Sequence, residues 1–397
     1  LHLGDYFYEY GMGGYATDRA EELGRALPAD NAGELYTLQD YRRRYALYRS
    51  DADLQAMHAA APMIAVWDDH EIANDTWLHG AQNHSPDEGE FEQRKAAAIQ
   101  AYFEWLPLRP VQPDRTGRIY RRFDFGDLMS LHMLDTRLIG RDRQLEYAHY
   151  IDRDSGQLDS DRFREDISDG ARSLLGTEQR EWLYAGLADS SALWQVLGQQ
   201  VLMARMTMPV VLLQQMFAGR DGSETQALIA ELVADKQAQA AGQVLPEERA
   251  KRLRQVLPYS LDAWDGYPVE RERLYAEAKK LGKQLVVLAG DTHNAWASEL
   301  RDMHGDQVGV EYATHSVSSP GMETYMGLTR ESGDRMAQAL PVLIEELHYC
   351  QLTNRGFMEL HFSRSDLQVK WHFLDDVTVS APKSFSESHS LPVPLDV

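Results

Sequence analysis

KQLVVLAGDTHNAW (283–296) is the stretch whose reading decides the fold. Leu285 to Ala289 is a short, unbroken apolar run with two valines at its centre, the composition of a strand buried on both faces. Polar chemistry begins as soon as the run ends, with Gly290, Asp291 and His293. In an extended segment residues two apart leave the same face, so this strand end is expected to present a carboxylate and an imidazole together.

The same event recurs along the chain. LHLGDYFY (1–8), IAVWDDHE (64–71), LMSLHMLDTR (128–137) and VLGQQ (196–200) each read as an apolar strand that delivers polar side chains at its carboxyl end. Helical patterns lie between them. TLQDYRRRYALYR (37–49) spaces Tyr41, Tyr45 and Tyr48 at helical intervals behind a Thr37–Asp40 capping signature. TEQREWLYAGLA (177–188) and YPVERERLYAEAKKL (267–281) are further helices, the second with Pro268 in its first turn. Strands alternating with helices predict an α/β core, and open α/β sheets build ligand sites where loops converge at strand carboxyl ends.

Residues 1–380 are expected to form one catalytic domain. A polar helical insertion or lid runs from about 203 to 260, and residues 381–397 form an extended Ser/Pro-rich tail. The chain has 397 residues, 43% of them hydrophobic and 26% charged, as in ordinary globular enzymes. A net charge of −22 argues against a nucleic-acid-binding surface, which needs Lys/Arg faces. No apolar run approaches the roughly eighteen residues of a membrane span. The single cysteine, Cys350, excludes an internal disulfide and a cysteine-cluster metal site, so any metal must be held by oxygen and imidazole.

One strand-end aspartate is most simply a turn or cap residue. Several at once, each beside a hard oxygen or imidazole donor, point to a metal centre. Asp5 can bridge two cations, and Tyr8 can return a phenolate to the same place; phenolate favours a trivalent ion. Tyr6 and Tyr10 read as half-buried aromatics with hydroxyls in water. Asp68 and Asp69 would repel one another at a strand end and raise each other's pKa unless a cation lay between them. Asp69 is the expected ligand, and His70 is placed to protonate a leaving oxygen. Glu71 and Asn74 could support the ligands from behind. Asp291 and His293 complete the metal set. Arg137 suits a phosphate oxygen through its bidentate fork, or equally forms a salt bridge with Asp135 that locks their loop.

These motifs, in this order, resemble the PhoD-like alkaline phosphatase/phosphodiesterase family of the calcineurin-like metallophosphoesterase superfamily. The resemblance rests on GDYFYEYG (4–11), DYRRRYALYRSDADLQAMHA (40–59), WDDHEIANDTW (67–77), LDTR (134–137), WDGYPVERERL (264–274) and GDTHNAWASEL (290–300), and more weakly on RGFMELHFS (355–363). It implies an αββα four-layer sandwich of two mixed β-sheets flanked by helices, and a binuclear or larger centre of Fe3+ with Ca2+. Asp5 would bridge the metals, Tyr8 would bind iron, Asp69, Asp291 and His293 would bind metal, and His70 would assist the leaving group. The implied activity is hydrolysis of small or polymeric phosphate mono- and diesters, an activated water attacking phosphorus in line, by a protein secreted or held in the bacterial envelope. A dedicated phosphodiesterase of phospholipase D type and a catalytically dead calcium-binding relative are the alternatives. The superfamily usually places histidine where this chain has Gln199 and Gln200. The family's first metal-binding strand, with an aspartate and often a cysteine, would lie before Leu1, so the abrupt opening is expected not to be the natural start.

Overall fold

The computed structural model describes the chain except at positions 18, 111–116, 153–157, 218–221, 380 and 394–397. Four residues of the expected insertion and the last four of the expected tail therefore lie outside the described residues.

Twelve strands among the described residues form three sheets. The first pair, β1 (Arg121–Phe125) and β2 (Met129–Met133), is antiparallel. β3 (Trp194–Gly198) joins β2 in parallel. β4 (Thr207–Pro209) and β5 (Val256–Pro258) pair only with each other. β6 (Leu285–Ala289) continues the parallel run from β3, and β7 (Ala295–Arg301) and β8 (Gln307–Ala313) follow it in the chain. With β9 (Leu347–Gln351) they complete a seven-stranded mixed sheet of order β1-β2-β3-β6-β8-β7-β9. β10 (Arg355–Phe362), β11 (Leu367–Leu374) and β12 (Ser384–Ser388) form a small sheet that is antiparallel throughout rather than mixed. β12 lies within the segment read from sequence as a tail.

Strand β6 shows why the sheet is layered on both sides. Leu285, Val287 and Ala289 enter one hydrophobic core and Val286 and Leu288 enter another. On the second face lie α1 (Leu38–Arg49) and α3 (Phe91–Trp105), which bracket α2 (Ala52–Ala60) in sequence, together with the small sheet. The inward residues of β11, Leu367, Val369, Trp371 and Phe373, alternate as a half-buried strand requires. The Thr37–Asp40 capping box of α1 is formed. Beyond α4 (Ser160–Ile167), the first face is covered by α5 (Gly176–Asp189) and by helices of the later chain. α6 (Val210–Phe217), α7 (Gly222–Ala240) and α8 (Glu247–Arg254) rise from the β4–β5 pair, which closes the base of this helical excursion. α9 (Pro268–Lys280), α10 (Met322–Tyr325) and α11 (Arg330–Leu343) complete the set, with Pro268 at the start of α9. No helix among the described residues is long and apolar enough to cross a membrane.

Two expected strands are shorter than the sequence suggests. Leu1–Leu3 and the 64–66 segment are extended but share only one parallel bridge, His2 with Ala65, held by two backbone hydrogen bonds of 2.9 and 3.1 Å. The pairing stops because Gly4 (φ 116°) and Asp5 (φ 57°) turn the chain into the left-handed region at once.

Trp371 is fully buried between the sheets, near the rings of Tyr312 and Tyr349, and its indole N–H donates to the Ala313 carbonyl at 3.2 Å. Trp371→Ala should cost about 3–5 kcal/mol in urea unfolding. Phe357→Ala, on the exposed face of β10, should cost less than about 0.5 kcal/mol.

Candidate metal centre

The loops that leave β2, β3 and β6 meet the 4–10 and 68–75 loops at one edge of the large sheet. Gly4 makes the approach possible: a Cβ there would lie 2.3 Å from the Cβ of Asp68. Glu71 then ties the two acidic loops together, its carboxylate accepting the backbone N–H of Asp5 (3.0 Å), Tyr6 (2.7 Å) and Asp68 (2.8 Å). Arg44, buried on α1, donates to the carbonyls of Tyr8 and Tyr10 and so fixes the rest of the first loop. On the third loop Asp291 (φ 60°) and His293 (φ 58°) are both left-handed. The extended segment expected from sequence is therefore a tight turn. It still aims both side chains into the same cavity.

That cavity, of about 270 Å3, is lined by Asp5, Asp69, His70, Asp291 and His293, with Asn74 and Asp75 beside them. Ligand atoms of Asp5, Asp69 and His70 lie within 4.8 Å of one another, as do those of Asp68, Asp69 and Asp291. The Tyr8 hydroxyl is 3.0 Å from His293 Nε2, which is 3.4 Å from Asp5 Oδ2. His293 donates through Nδ1 to the Pro320 carbonyl at 2.7 Å. This turns Nε2 towards Asp5 and Tyr8, the orientation of a metal ligand. Tyr15, which sequence reading missed, also donates to Pro320 and sits 2.8 Å from His293 Nδ1.

The donor set fits a hard cation. Oδ1 of Asp5 and Oδ2 of Asp68 are buried with no hydrogen-bond partner among the described residues, which is costly for a carboxylate unless a positive charge faces it. Burial and the charges of Asp69, Asp5 and Asp291 hold the Asp68 carboxyl well above its usual range despite Arg137. Its neighbour Asp69 is buried too, but Arg137, His70 and backbone donors bring it down to about 2. Burial and neighbouring aspartates raise Asp291 and Asp75 to about 7. Burial and Asp5 push the Tyr8 phenol well above 10, so without a cation Tyr8 is a neutral phenol. Tyr6 does not face water: it is buried, with its hydroxyl 2.9 Å from His58 Nε2.

His70 has a partner that sequence reading overlooked. Its Nδ1 donates to Glu9 Oε2 at 2.7 Å, and Glu9 is held by the N–H of Asn74 (2.7 Å) and the amide of Asn83 (2.8 Å). Burial alone would lower the imidazole pKa, but Asp69, Glu9 and Asp5 outweigh it and hold the ring well above 6.5. A charged residue inside the aromatic stretch YFYEYG was the available signal for Glu9.

Arg137 is fully buried and stands behind the acids rather than in the cavity lining. It donates to Asp68 through Nε, and to Asp262 and Asp291 through its two Nη groups, each at 2.9 Å. Asp135 takes no part in this. It caps its own turn, accepting the N–H of Arg137 (2.9 Å) and Leu138 (2.8 Å). Gln200 spends its amide on Thr136, Trp67 and Leu134, and Gln199 on Val201 and Trp264, so both act in holding loops together.

A layered α/β sandwich with carboxylates, imidazoles and a phenol gathered at strand ends defines a candidate hard-cation centre. The model of the PhoD-like phosphatase family matches residues 1–371, and the chain belongs to that family. It is 35% identical over 335 residues to alkaline phosphatase D of Bacillus subtilis (strain 168), covering 81% of this chain and 46% of that protein. A solved structure described as PhoD superposes with a TM-score of 0.69 at 28% identity, covering 98% of this chain and 63% of the other. The chain thus spans about half the length of the curated relative it matches.

Raised carboxyl pKa values carry a sign that can be tested. Between the ordinary carboxyl value and about 7 the folded state binds more protons than the unfolded one, through Asp291 and Asp75. Stability of the chelated protein should therefore fall as pH rises from about 4 to 7, and fall further as His70 deprotonates. Calorimetry in chelator should show a Tm loss of at least about 5 °C over this range, and added cation should abolish most of it.

Proposed function

We propose that this cavity hydrolyses phosphate esters, with Asp5, Tyr8, Asp69, Asp291 and His293 holding a ferric ion and calcium. The observation that carries the reading is the convergence of ligand atoms from three loops, with two buried carboxylate oxygens lacking any other partner. Such cations, when bound, neutralise phosphoryl oxygens and make water acidic enough to attack phosphorus. Tyr8 supports iron because phenolate is a hard, charged donor suited to a trivalent ion. Asp68 is a further candidate ligand.

His70 supplies the proton. Glu9 takes its Nδ1–H, which orients the ring and leaves Nε2 to protonate the departing alkoxide. Arg137 acts as a positioning residue: its three donor directions set the spacing of Asp68, Asp262 and Asp291. The substrates we propose are phosphate mono- and diesters, and family membership supports a protein that works in the bacterial envelope or outside the cell.

Removing the proton donor and removing the phenol should have different consequences. His70→Ala should lower turnover of a chromogenic phosphate ester by roughly 10²–10⁴ while elemental analysis finds the metal content unchanged. Tyr8→Phe should lose the visible phenolate-to-iron absorption. Unchanged turnover in the first variant, or a retained absorption band in the second, removes that residue from its role.

A further inference from the structure

A second cavity, of about 670 Å3, lies between α7 of the helical excursion and α11. It shares one residue with the smaller cavity, Tyr325 at the end of α10, which is 68% exposed. From the candidate proton donor an aromatic series leads to it. The Tyr15 ring is parallel to His70 within 8° at 6.2 Å, and Tyr325 is parallel to Tyr15 within 2° at 6.1 Å. The stack thus joins the candidate proton donor to the rim of the second cavity.

The lining sets the chemistry of what fits. Ile229, Val233, Leu328 and Met336 give it apolar surface, in which methionine adapts to shape, beside polar side chains such as Gln237 and Ser332. Arg335 is the one charged residue among the described lining, and it is already engaged by Glu331 and Gln226, each at 2.6 Å. A hydrocarbon group gains by leaving water for the apolar part of this lining, whereas a charged group finds no free charge of opposite sign among the described lining residues. A volume of this size suits a ligand larger than phosphate itself.

We infer that this cavity is the leaving-group subsite and that it takes an uncharged alkyl chain esterified to phosphate. The inference rests on the proposed phosphoesterase reading. In the step it serves, water oxygen bonds to phosphorus, the bond from phosphorus to the leaving oxygen breaks, the His70 proton passes to that oxygen, and one proton of the attacking water is released to solvent, from which His70 is reprotonated. The products are the chain alcohol and phosphate.

The test is phosphate release from methyl, butyl, hexyl and octyl phosphate, below their aggregation concentrations, by the cation-loaded protein. kcat/KM should rise roughly threefold per added methylene until the cavity fills. Ala339→Phe, from α11, and Ala230→Trp, from α7, should each flatten that rise while leaving methyl phosphate turnover unchanged. A flat series in the unmodified protein, with methyl phosphate still hydrolysed, overturns the subsite and leaves the catalytic reading standing. A rise that survives in a folded filled variant overturns its location. Failure to hydrolyse any member overturns the catalytic reading, and the subsite with it. Should either variant fail to fold, saturation transfer from the unmodified protein to 1-octanol, expected without cation, decides between binding and none.

Discussion

Asp68, Asp262 and Asp291 all accept hydrogen bonds from one fully buried guanidinium, that of Arg137, and Asp69 lies 3.8 Å from it. Four acidic side chains around a single permanent cation leave more acid than the guanidinium can neutralise, with Asp68 and Asp69 buried beside it. A buried ion cluster is tolerable only when nearly every lone pair has a partner, and here Asp5 Oδ1 and Asp68 Oδ2 have none. The folded chain thus holds an electrostatic debt whose natural settlement is additional positive charge in the cavity. Much of the local architecture is explained by the need to hold these acids together against their repulsion.

The backbone pays part of the cost of that assembly. Asp5, Asp75, Asp291 and His293 all have positive φ, uncommon for residues other than glycine. Left-handed turns at the ends of extended segments swing side chains back over the sheet edge. Glu71 and Arg44 then fix the resulting loops through backbone groups alone. The candidate ligands are consequently preorganised by residues that do not line the cavity, which is how a rigid site is supported in general.

Much of this could be read from sequence where the information was local. The capping box of α1, Pro268 at the start of α9, and the apolar run of β6 with its acidic exit are patterns within a few residues. That Asp5, Asp69, Asp291 and His293 would gather was legible for the same reason, since each motif carries its polar side chains next to its extended segment. What composition could not give is pairing across the chain. Glu9 meets His70 across 61 positions, and Tyr15 meets His293 across 278. The bidentate fork of Arg137 suggests a phosphate clamp or a salt bridge with Asp135, yet its partners Asp68 and Asp291 come from other loops. The extended geometry assumed for Asp291 and His293 failed because periodicity does not report the sign of φ.

Anomalous diffraction from crystals grown with iron and calcium tests the central claim most directly. At least one anomalous peak is expected in the 270 Å3 cavity, within ligand reach of Asp5, Asp69, Asp291 and His293. A well-ordered crystal with those side chains in place and no peak among them would contradict it.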